Sequence, residues 1–179
     1  LNVHMDTVEP GRGVKPIVTY TDGTMASAAY WIGSATDKVY IGNDATLVGS
    51  IGVVAMHQDV SKAEEQRGIK TTEVYAGRYK RIASQYAPLS EEGRAYLQDR
   101  VDYLYSVFIS AVADNRGVRV EKVLKDMADG KVFSGKQAME AGLVDGVATL
   151  DALIADLKSG GGPGNNAKRK EKSMSEIKE

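Results

Sequence analysis

Cysteine is absent from the 179-residue chain, which excludes disulfides, thiolate metal centres and a cysteine nucleophile, and leaves the redox compartment open. Histidine is almost absent too. His4 and His57 are the only two, so a polyhistidine metal centre is not expected, and no motif calls for a cofactor. An excess of either charge is also missing. With 23 basic against 24 acidic residues and a formal net charge of −1, nothing points to nucleic acid or to a strongly charged substrate. No window approaches the roughly 18 to 20 uninterrupted apolar residues of a membrane span. The chain opens on Leu1 without a basic and then apolar leader, so we expect a soluble piece of a longer protein.

What is present suits one globular domain with a core: 42% of residues are hydrophobic and 26% charged. Residues 1 to 14, "LNVHMDTVEPGRGV", carry Pro10, Gly11 and Gly13 and read as an N-terminal remnant, mostly loop. Residues 15 to 158 read as the domain proper. A strand is expected over Ile17 to Tyr20, another at "KVYIG", a third in "GSIGVVAM" from Gly49, and a fourth in "KTTEVYAG". Helices are expected from Val60 to Arg67, over a long stretch capped by Ser90, and from Val120 to Ala128. In the long stretch Leu97, Val101, Leu104, Tyr105, Phe108, Ile109 and Val112 recur at helical spacing. "FSGKQAMEAGLVDGV" places Ser134 and Gln137 in capping-box spacing, ends a short helix at Gly142 and returns to a strand. Strands alternating with helices indicate an α/β fold. The tail 159 to 179 is Gly-rich and then charged, so we read it as a flexible linker in which Lys168, Arg169, Lys170 and Lys172 form a solvated run.

Chemistry is sought first at "TDGTMASAAYWIGSATD", where Ser27 stands among very small residues between a strand and a helix. It lacks the Gly-x-Ser-x-Gly elbow of the α/β-hydrolases and has Ala26 and Ala28 as its neighbours instead, which can serve the same steric purpose. Two readings stay open: Ser27 caps the helix, or it is a nucleophile with clearance for a substrate strand and a helix N-terminus beside its developing oxyanion. A nucleophile needs a base. His57 in "AMHQDVS", with Asp59 two residues on, allows a triad to be written, but residues so spaced seldom face each other. Lys80 in "AGRYKRIA" is the alternative base, flanked by Arg78 and Arg81, whose charges would lower its pKa.

"DGTMASAAYWIGSATDKVYIGNDATLVGSIGVV" followed by "YAGRYKRIAS" resembles the signal peptide peptidase family of serine proteases, over roughly Lys15 to Leu157. The resemblance implies a fold of the Clp-protease and crotonase type, with Ser27 as nucleophile and Lys80, in a Gly-x-Tyr-Lys motif, as general base. It implies that Ser50 of "GSIGV" orients that lysine and that the Ala28 amide contributes to the oxyanion hole. The Ser-Pro-Gly-Gly type loop that brings a second oxyanion amide in the best-known members is absent, and "HMDTVEPGRG" resembles it only faintly. Within the family the dyad is assembled between protomers, which implies a homo-oligomer acting on protein or peptide substrates. The residues 77 to 117 and "GLVDGVATLDALIADL" look most like the phage and prophage branch. That branch implies cleavage of scaffold or head proteins during capsid maturation, in a procapsid or the bacterial cytoplasm. Two alternatives remain: a bacterial peptidase that degrades cleaved signal peptides, with a membrane anchor upstream, and an inactive capsid or scaffold component of the same fold.

Overall fold

The computed structural model describes residues 17–159. The expectations for residues 1 to 14, for His4 and for the tail beyond Ser159 lie outside the described residues. The described residues divide into two compact units, one made of residues 17–52 and 108–159 and the other of residues 53–107.

The first unit holds the mixed α/β core. Strand β1 (Val18–Thr21) is followed by β2 (Thr24–Ala26), helix α1 (Ala28–Ser34), β3 (Lys38–Ile41) and β4 (Leu47–Gly49). Two three-stranded sheets result. In one, β1, β3 and a late strand β6 (Gly146–Val147) run parallel, with β3 in the centre. In the other, β4 pairs in parallel with β2 and antiparallel with β5 (Val132–Ser134). Val39, Tyr40 and Ile41 of β3 are all buried, as expected of a central parallel strand covered on both faces.

Helix α1 is anchored by its own bulk. Tyr30 is buried and donates from Oη to the Leu143 carbonyl at 2.8 Å, and burial pushes its phenol well above the usual tyrosine range, so it stays a neutral donor. Trp31 stacks on Phe108 with ring centroids 4.5 Å apart. The Ser34 hydroxyl donates to the Trp31 carbonyl and accepts from Asn115. Around this helix Val48, Ile51, Val112, Val123, Met127 and Leu143 complete the core. Below it, Asp145 accepts from the Val39 amide at 2.8 Å and pairs with Arg116 at 2.9 Å.

The second unit is built differently. It contains α2 (Ser61–Gln66) and the first half of the long helix α3 (Glu91–Arg116), whose residues from Phe108 onward count with the first unit. Gly93 is its one buried residue, while Val54, Met56 and Val74 are at least 85% exposed.

Several expectations hold in detail. Ser90 caps α3, its Oγ accepting from the Gly93 amide at 3.0 Å. Gly142 ends α5 (Gly135–Ala141) at φ 86°, where a Cβ would be strained. The stretch from Val120 is helical as expected, as α4 (Val120–Lys122) running into a π-helical turn over Val123–Met127; α6 (Leu150–Lys158) closes the described chain. Other expectations fail. The strand expected from Gly49 ends there instead, and "KTTEVYAG" forms no strand. Both runs are β-branched, but a ladder needs a neighbouring backbone, and among the described residues none pairs with the first run beyond Ile51 or with the second. In α3, Gly93 apart, burial sets in only at Phe108, so Leu104 of the apolar stripe stays 43% exposed. Ser134 occupies the N-cap of α5 without a side-chain capping bond; Gly135 follows at φ 45°, where a Cβ would stand 2.8 Å from the Asp44 backbone.

Candidate active site

Ser27 lies between β2 and α1, exposed, with the exposed Ala28 and Ala29 beside it. Its backbone sits at φ 56°, ψ −126°, the conformation of the first central residue of a type II′ turn, a position normally held by glycine. The turn is held in place at both ends. The Ser27 amide donates to the Gly49 carbonyl at 2.8 Å, and the Ser27 carbonyl accepts from Trp31 at 3.0 Å. The hydroxyl makes no capping bond, so the capping role leaves this side chain unexplained. Ala28 opens α1, where the first amides have no partner within the helix and the dipole favours negative charge.

Ser50 stands beside this turn for a topological reason. β2 and β4 pair in parallel with Ala26 opposite Gly49, so Ser27 and Ser50 each follow the last paired residue of adjacent strands. Ser50 is itself left-handed, at φ 52°. Its amide donates to the Lys131 carbonyl at 2.7 Å, and the Ile51 carbonyl accepts from Gly130 at 2.9 Å. Gly49, at φ 102°, must be glycine, because a Cβ would stand 3.0 Å from the Lys131 carbonyl and 3.1 Å from the Phe133 ring. Across the described residues, the non-glycine positions with positive φ are Ser27, Ser50 and Asp129. All three lie on this one run of backbone contacts.

Lys80 belongs to the second unit, exposed on a series of turns after Gly77, its amide donating to the Gly77 carbonyl at 3.1 Å. Arg78 is paired with Glu92 and Arg81 with Glu73. His57 and Asp59 are occupied within the same unit. The ring Nε2 of His57 is 2.9 Å from the Ser84 carbonyl, to which it donates. Asp59 accepts from the Ser61 amide at 2.9 Å at the start of α2, and hydrogen bonds from Ser61 hold its carboxyl below the usual carboxylate range. No group of three or more metal-ligating side chains occurs among the described residues. Sequence reasoning missed the Ala128–Lys131 turn that braces Ser50, although "ADGK" is a turn signature, and it missed Glu73, whose role is visible only in three dimensions.

The chain matches the family model of peptidase family S49 over residues 11–162. It is 35% identical over 144 residues to MJ0651 of Methanocaldococcus jannaschii, a protein named as an inferred protease, with 80% of this chain and 46% of that protein covered. It is 33% identical over 143 residues to a protein of Enterococcus faecium named as an inferred signal peptide peptidase SppA, covering 80% and 41%. To capsid assembly protease C of Escherichia phage lambda it is 31% identical over 149 residues, covering 83% and 33%. The chain thus spans less than half the length of these curated relatives.

Proposed function

The chain belongs to peptidase family S49, whose fold is of the Clp-protease type, and on that premise we propose that it is a serine endopeptidase with Ser27 as nucleophile and Lys80 as general base, over a peptidase domain of residues 15 to 158. The observation that carries this reading is the backbone of Ser27. A strained, glycine-like conformation on an exposed serine at a strand-to-helix turn is the arrangement by which serine hydrolases present their nucleophile, and the hydroxyl forms no structural bond that would account for it.

The chemistry follows from the groups at hand. Unprotonated Lys80 takes the proton from Ser27 Oγ as the oxygen attacks the peptide carbonyl. The oxyanion points toward the Ala28 amide at the start of α1. On collapse the C–N bond breaks and the Lys80 ammonium returns its proton to the departing amine. Water, deprotonated by the same lysine, then hydrolyses the ester and frees Ser27. Ser50, beside Ser27, supplies the hydroxyl that orients the lysine. An ordinary lysine is protonated near neutrality. Lys80 is exposed and stands between two arginines, so the water-free surroundings that a lysine base needs are supplied on assembly, with Lys80 of one protomer serving Ser27 of a neighbour in a homo-oligomer.

We take the substrates to be head or scaffold proteins of a phage capsid, processed in the procapsid or host cytoplasm; the similarity to the lambda capsid assembly protease supports this. The similarity to an inferred SppA supports the rival, a peptidase of cleaved signal peptides. Incubating the full-length protein with its cognate head and scaffold proteins, and separately with signal peptides, distinguishes the two by mass spectrometry. Ser27→Ala and Lys80→Ala must each abolish the fragments. Fragment patterns identical to those of the intact protein overturn the dyad, and no cleavage by any form leaves the inactive capsid component as the reading. Activity should rise toward alkaline pH, whereas a midpoint near about 6.5 would point to His57 instead.

A further inference from the structure

Lys80 sits where burial cannot hold it. Between Gly68 and Ser90 the chain forms only turns and irregular backbone, and the unit around it buries Gly93 alone. A general base must nevertheless be held to within a fraction of an ångström of its proton, because small misplacements are expensive in rate. The structure holds this loop on both sides of Lys80: before it Arg78 pairs with Glu92 and Tyr79 stacks on Tyr96 with ring centroids 5.4 Å apart, and after it the fixture is Glu73. Glu73 Oε2 accepts from Ser84 Oγ at 2.7 Å and lies 3.1 Å from Arg81 Nη2. One carboxylate oxygen therefore ties down both the residue that follows Lys80 and the far end of its turn. The fixture is reinforced around its edge. The Arg81 guanidinium lies over the Tyr75 ring at 5.2 Å, the Ser84 carbonyl accepts from His57, and Ser84 Oγ accepts from the Tyr86 amide at 3.2 Å. The Glu73 side chain is only 26% exposed, which makes its contacts stiffer than those of a free surface pair.

From this geometry we infer that Glu73 is a positioning residue for Lys80, an inference that rests on Lys80 being the base. Glu73 does not touch the reacting atoms; it acts through Arg81 and Ser84. A merely structural glutamate would change stability and leave the kinetic constants of the folded enzyme alone. A positioning glutamate lowers kcat and spares KM.

The test compares Glu73→Ala, Glu73→Gln, Ser84→Ala and Lys80→Ala in the full-length protein, on the substrate cleaved by the intact enzyme, with folding checked by circular dichroism and melting. Glu73→Ala should lower kcat by about 10²-fold with KM within about threefold. Glu73→Gln keeps an oxygen that accepts from both partners and loses only a partly exposed charge pair, so its kcat should recover to within about fivefold of the intact enzyme. If Glu73→Ala fails to fold, Ser84→Ala carries the comparison and should lower kcat with KM spared. A folded Glu73→Ala or Ser84→Ala with intact kcat, beside an inactive Lys80→Ala, overturns the positioning role and leaves the base in place. An active Lys80→Ala overturns the base itself. A Glu73→Gln as poor as Glu73→Ala also overturns the tether described here.

Discussion

Replacing Ser27 by glycine should make the protein more stable than replacing it by alanine. In the native state residue 27 holds φ 56°, ψ −126°, and a side-chain-bearing residue in such a region stores about 1–3 kcal/mol of strain. Alanine keeps that strain. It also loses nothing else, since the side chain is exposed and its hydroxyl makes no capping bond, so Ser27→Ala should melt close to the parent. Glycine removes the strain and in exchange gives the unfolded chain more freedom, a penalty of about 0.5–1 kcal/mol. The difference is a net gain of about 1 kcal/mol, and a chain of this size converts it into a melting temperature about 2–4 °C higher for Ser27→Gly than for Ser27→Ala. The assay is differential scanning calorimetry of both variants at equal protomer concentration, because assembly shifts melting by mass action. A glycine variant that melts at or below the alanine variant refutes the claim that residue 27 is held in a left-handed turn. Because both variants lack the hydroxyl, the comparison isolates backbone strain from chemistry.

Asp145 should couple stability to acid. Burial acts to raise its carboxyl, but the hydrogen bonds from Arg116 and the Val39 amide, with the Arg116 and Lys38 charges, outweigh burial and hold it below the usual carboxylate range. A carboxyl lowered in the folded state stabilises above its unfolded pKa of about 3.9 and loses that contribution as pH falls through the folded value. Asp145→Asn should therefore be less stable than the parent at pH 7 by urea titration, with the gap closing below about pH 4; a gap independent of pH contradicts the assignment. Thr46 is buried and its hydroxyl has no partner among the described residues, so Thr46→Val, nearly equal in shape, should leave the urea midpoint unchanged or raise stability by up to about 1 kcal/mol. A clear loss would mean that the hydroxyl is bonded after all.

Helices were more legible than strands, and the reason is physical. A cap and a period are local: Ser90 reaches Gly93 within one turn, and Gly142 takes its left-handed φ where the apolar spacing stops. A strand depends on a neighbour that its own residues do not specify. "KVYI" finds β1 on one side and β6 on the other, whereas "KTTEVYAG", equally β-branched, finds no ladder, and Val74 is left 96% exposed. The candidate site divides in the same way. Small residues around Ser27 and its junction position could be read from the chain, and on spacing alone they favoured the cap while leaving the nucleophile open. What speaks against the cap is the φ of Ser27 and the absence of a capping bond, and neither is written in composition. Ser50 was named by the resemblance, but its backbone was not legible: in "GSIGV" Gly49 advertises positive φ, yet the serine after it adopts it as well.

The two halves of the proposed dyad are held by opposite means. Ser27 rides on a strand end and a helix whose Tyr30 and Trp31 are locked into a core, and that core overcomes the strain of Ser27, Ser50 and Asp129 together. Lys80 rides on turns held by Glu73, Arg81, Ser84 and His57, in a unit with almost nothing buried. Partly exposed polar contacts of that kind contribute little each, on the order of 1 kcal/mol or less, so the base can be ordered or released at small cost while the nucleophile cannot. A peptidase arranged so keeps its nucleophile permanently shaped and leaves the state of its base to its surroundings. Under the proposed dyad, activity is then conditional on assembly, because Lys80 is exposed in the single chain and only a neighbouring protomer can take it out of water.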